Sequence, residues 1–138
     1  MSPLSQDQQD RVRKIEAAVG ESDRAVRDHL SSLDAFERSA VQSATGNVSI
    51  GWLQDLDQLR TELLGARDRL DNLNTGLRAQ DYLRKSLIET AAGVAAWRFA
   101  LGSSDPREIA AARVRMRDHF AAAEIDGMQG ASDLKQGR

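Results

Sequence analysis

The chain has 138 residues, a formal charge of −2 and no cysteine. That composition excludes disulfide frameworks, thiolate metal sites and thiol nucleophiles, and it leaves no global basic field to gather nucleic acid or an anionic membrane surface. The length is close to that of one ordinary domain, and abundant alanine with only two prolines favours helix.

The opening Met1-Ser-Pro-Leu-Ser-Gln-Asp7 has neither the basic nor the apolar region of a Sec signal. The most apolar stretch, Ala91 to Leu101, contains Arg98 and falls short of the roughly 20 residues that a membrane-spanning helix needs. These features predict a cytoplasmic protein without membrane insertion. Sixteen arginines against three lysines suggest a GC-rich coding genome and a bacterial or phage origin.

Ser5 followed by Gln8 is a capping-box pattern that starts a first helix near Gln6. Val12, Ile15, Val19, Val26, Leu33 and Phe36 keep a seven-residue phase across Gly20, so one helix is expected over 6–44. Thr45-Gly46-Asn47 is a stop signal, and Ser49 is a candidate N-cap for the next helix. So short a connection makes the two helices antiparallel neighbours.

The second helix, expected over 50–76, carries the seam Trp52, Leu56, Leu59, Leu63, Leu70, Leu73 and Leu77. Its strict continuation would place Arg84 and Arg98 in the seam, so the stripe must rotate, and Asn72 to Gly76 is where a kink or turn absorbs the change. The rotated stripe Leu83, Leu87, Val94, Trp97 and Leu101 defines a helix over 78–101. Asp105 as N-cap, Pro106 at the first helical position and Glu108 two residues later start a final helix, expected over 106–124. Ile109, Ala112, Met116, Phe120 and Ala123 form its apolar side. Residues 126–138 lack periodicity and read as a flexible tail after a single domain over 1–125.

Chemistry is poorly represented. Neither His29 nor His119 has a glutamate three residues upstream, as a di-iron bundle requires, and two histidines without cysteine do not make a zinc site. No metal or cofactor is expected. Gly46 and Gly51 have phosphate-loop spacing, but Trp52 and Leu53 replace the required Lys and Ser or Thr. Arg107, Arg113, Arg115 and Arg117 are interrupted by Glu108 and Asp118, a pattern of a solvated helix face that argues against nucleic-acid binding.

Arg113 and His119 resemble the Arg-x4-6-His motif of the HEPN ribonucleases, all-helical dimers whose Arg and His line a shared RNA-cleaving cleft. The resemblance implies a histidine that exchanges a proton and an arginine that stabilises charge on a scissile phosphate. Arg24 and His29 fit the same pattern. The polar residue that commonly follows the motif's Arg is replaced by Val114 and by Ala25.

The helical hairpin with Trp52 at its turn also resembles the Trp-x-Gly family of type VII secretion substrates. Here the order is Ile50-Gly51-Trp52-Leu53, so the tripeptide itself is absent, and Phe120-Ala-Ala-Ala-Glu124 stands where the family's Tyr-x-x-x-Asp or Glu signal would be.

The preferred expectation is an all-α protein: a long, coiled-coil-like antiparallel hairpin with further C-terminal helices forming a bundle. Its expected function is non-catalytic interaction or assembly as a scaffold, adaptor or structural component, with a protein partner or as a homo-oligomer. Trp52, Trp97, Phe99, Met116 and Phe120 are the candidate interface residues. A type VII secretion substrate and a HEPN-like ribonuclease toxin using Arg113 and His119 are the alternatives.

Overall fold

A computed structural model describes residues 3–20, 24 and 50–138. The described chain is an all-α bundle of four helices: α1 over residues 6–20, α2 over Ile50–Asp71, α3 over Arg78–Gly102 and α4 over Pro106–Lys135. The helices run alternately up and down. Arg11 donates to the Thr75 carbonyl and Arg69 to the Ala18 carbonyl, a descending register that sets α1 antiparallel to α2. Arg84 and Arg98 meet Asp71 and Asp57, each at 2.6 Å, so α2 and α3 are antiparallel as well.

The capping box forms at the start of α1: Gln8 N donates to Ser5 Oγ at 3.1 Å and Ser5 N to Gln8 Oε1 at 2.9 Å. Gly20 itself is helical. The remainder of the expected 6–44 helix, the Thr45-Gly46-Asn47 stop and the Ser49 cap lie outside the described residues.

α2 ends at Asp71 rather than at residue 76, and of the two ways to absorb the change of stripe the chain takes a full turn. Gln80 holds that turn. Its Nε2 donates to the carbonyls of Leu70 at 2.6 Å and Leu73 at 3.1 Å, while its Oε1 accepts from Thr75 Oγ1 at 2.6 Å. Helix ends leave carbonyls without partners, and here one side chain from the next helix supplies them. Gly76 takes φ 67°, a conformation that favours glycine. The two arginines that a continuous seam would have buried instead face aspartates of α2.

The core has two parts joined by Leu87. Leu56, Leu59 and Leu63 of α2 pack with Ala91, Val94 and Trp97 of α3 and Met116 of α4. Ile15 and Ala18 of α1 pack with Leu70, backed by Leu73, Leu77, Leu83 and Leu134. Buried leucines at the predicted three- and four-residue spacing therefore make the α2 contribution.

The start of α4 follows the sequence signal: Arg107 N donates to Asp105 Oδ1 at 2.9 Å, with Pro106 in the first turn, and Ser103 Oγ donates to Glu108 Oε2. Its end does not. α4 runs to Lys135, so residues 126–135 are helical and not the flexible tail expected from their lack of periodicity. Gly130 and Asp133 are buried. The turn beyond the helix docks on the start of α3, where Ala79 N donates to the Arg138 carbonyl at 3.1 Å. Packing reverses the expectation because Gly127 and Gly130 are points of close approach to α3.

Candidate functional site

α3 and α4 form an antiparallel pair built on small residues. Ala79, Gly93 and Ala100 are buried on α3 at seven-residue multiples, with Ser86 partly buried in the same phase. Met116, Ala123 and Gly130 repeat the spacing on α4. A Cβ at Gly93 would lie 2.5 Å from the Phe120 ring, and one at Gly130 would lie 2.8 Å from Leu83 Cγ. Both glycines are therefore required by the closeness of the helices. Ser86 adds a direct link across the pair, its Oγ donating to the Ala123 carbonyl at 2.8 Å.

Three of the five aromatic and methionine candidates meet in this pair. Trp97 and Met116 are each 5% exposed in the core. Phe120 packs against them over Gly93, with its ring edge-on to Trp97 at 6.3 Å and 62° between planes. These side chains are engaged within the protomer, because the small residues opposite leave volume that only large rings fill. Phe99 is not part of the group and is about half exposed. Trp52 belongs to α2, and its side chain lies outside the described residues.

Polar side chains between the helices are largely paired. His119 Nδ1 lies 2.6 Å from Glu89 Oε2, joining α4 to α3 near the middle of the bundle. Asp133 is fully buried; its Oδ1 meets Arg78 at 3.2 Å and Arg138 at 3.7 Å, and its Oδ2 has no protein partner. A carboxylate there ties the end of α4 to the beginning of α3. Arg113 is six residues before His119, which on a helix separates them by about 120°. His119 faces Glu89 of α3, so the two motif residues do not share a face. His29, of the second motif, lies outside the described residues. Among the described residues no three of His, Asp and Glu come together as a metal site, and no helix is long and apolar enough to cross a membrane.

The large exposed apolar side chains lie elsewhere. Val114, Ile125 and Met128 are 57%, 69% and 68% exposed, all on α4. With exposed Ala121 they fall within about 60° of one another around the helix axis, at 100° per residue, on the side away from Gly130 and Met116. The seven-residue steps 114, 121 and 128 were present in the sequence. Their signal is weak because 126–138 lacks the periodicity of a helix and because the apolar side that Ile109, Ala112, Met116, Phe120 and Ala123 define is the other one, facing the bundle.

No protein-family model, curated protein or solved structure matches this chain. The functional reading therefore rests on the residues and their geometry.

Proposed function

We propose that this chain is a non-catalytic helical interaction and assembly protein that works through helix-on-helix surfaces. The observation that carries the reading is the strip of exposed apolar side chains along the outer side of α4. Four-helix packing has already engaged the leucines of α2, Trp97 of α3, Met116 and Phe120 of α4 and the small residues between them, and this second strip contributes nothing to that core. A continuous apolar strip left in water on a regular helix is the kind of surface that a partner helix covers. The titratable groups between the helices support the same reading, since His119 with Glu89 and Asp133 with Arg78 are engaged in joining helices.

The test is the solution mass of the purified chain, by light scattering coupled to size exclusion, across a dilution series. A mass of two or more protomers that falls on dilution supports the reading. A mass of one protomer at every concentration overturns self-assembly.

A further inference from the structure

The outer strip of α4 has a second property that its exposure alone does not explain: the charges along it are arranged for a second copy of the same helix. From Pro106 to Arg117 the charged residues are Arg107, Arg113, Arg115 and Arg117 against Glu108 alone. From Asp118 to Lys135 the acidic residues left outside the core are Asp118, Glu124 and Asp126 against Lys135, Asp133 being buried and engaged with Arg78 and Arg138. The helix is basic in its first half and acidic in its second, with the change of sign between Arg117 and Asp118, about one turn before Ala121. Two such helices laid antiparallel bring each basic half against an acidic half.

The register follows from the residues. In an antiparallel pair about a two-fold axis at Ala121, Val114 of one copy opposes Met128 of the other, and Ala121 opposes itself. Asp118 lies at the border of the strip. Arg117 and Glu124 both flank the strip on one side, about 20° apart around the helix. A two-fold axis perpendicular to the pair keeps that side together, so Arg117 of each copy meets Glu124 of the other. Among the described residues neither Arg117 nor Glu124 has an ion-pair partner within the protomer. Ala121, at the axis, is small enough for the two backbones to approach.

The geometry points to an isologous homodimer formed by antiparallel pairing of α4 with α4 of a second copy, centred on Ala121 and fixed in register by reciprocal Arg117–Glu124 ion pairs. This inference deepens the assembly reading by naming its partner and face, and it rests on that reading. The required contact is self-complementary, as a two-fold interface must be. Val114 and Met128, at equal distances from Ala121, with the Arg117–Glu124 pair beside them, supply that complementarity in a single helix.

The absence of cysteine makes the test direct. Ala121→Cys places two thiols at the axis, whereas Ala131→Cys, also exposed, places them about 30 Å apart at 1.5 Å per residue. Under mild oxidation A121C is expected to become a disulfide-linked dimer while A131C stays monomeric. Added to A121C, the single reversal Arg117→Glu turns two attractions into two repulsions and should reduce crosslinking roughly tenfold. The double exchange R117E with E124R should restore it, with helicity unchanged by circular dichroism throughout. Equal crosslinking of A121C and A131C, or no response to R117E, overturns the interface. If light scattering of the unaltered chain nevertheless gives a dimer, only this face is rejected and assembly through another surface stands. If it gives a protomer at all concentrations, self-assembly falls with it.

Discussion

The two interfaces of α3 solve the same packing problem in opposite ways. Against α2 it meets Leu56, Leu59 and Leu63, large side chains that pack with Ala91, Val94 and Trp97. Against α4 it presents Gly93, Ser86 and Ala79, and the helices come close enough that a single added methyl group at Gly93 collides with Phe120. The first interface derives its stability from apolar area removed from water. The second gains close backbone approach and the Ser86 and His119 links that this approach allows. Volume is thus the quantity each interface controls, and the two should respond with opposite sensitivity to a change in side-chain size.

Truncation should be most damaging on the leucine side. Leu63 is fully buried, and Leu63→Ala is expected to cost about 2–5 kcal/mol by loss of transfer energy and creation of a cavity, read as a lower midpoint in urea unfolding. On the small-residue side the damaging change is enlargement. Gly93→Ala should cost about 1–3 kcal/mol even though alanine is the better helix former, because Phe120 or the helix itself must shift. Unfolding midpoints of G93A at or above that of the parent chain would show that the pair is not tightly packed and would break the comparison.

A smaller effect sharpens the same contrast by leaving both interfaces intact. Asp105 caps α4 through the Arg107 amide, and Asp105→Ala should cost about 0.5–2 kcal/mol without altering the response of either interface to size changes; urea unfolding of the D105A, L63A double variant should give additive losses. The smallest effect belongs to the outer strip. Met128→Ser, at a side chain 68% exposed, should leave the stability of the dilute protomer within about 0.5 kcal/mol, measured by thermal unfolding at high dilution, while lowering the concentration-dependent mass.

Much of this fold was legible locally. The capping box at Ser5, the cap and proline at Asp105 and Pro106, and the leucine phase of α2 each depend on residues within a few positions of one another, and all appear as read. The candidate surface was less legible. Trp97, Met116 and Phe120 are conspicuous because they are large and apolar, properties shared by core and interface residues, and the close α3–α4 pair placed them inside. The end of α4 was misread for the same kind of reason. Gly127 and Gly130 disfavour helix by roughly 1 kcal/mol each relative to alanine, and only the positions of Ser86 and Leu83 opposite them turn that local penalty into a packing requirement.

The sequence by itself determined an all-helical chain, the start of α1 and α4, the phase of the buried leucines and the need for a change of stripe after Leu77, because caps, turns and periodicity act through neighbouring residues. Only the tertiary structure decided that the stripe changes at a full turn held by Gln80, that residues 126–135 are helix, and which of two apolar sides of α4 is buried. Those outcomes depend on what lies across the interface, and a helix with small residues on one side and large ones on the other carries no local signal for which side its neighbour will take.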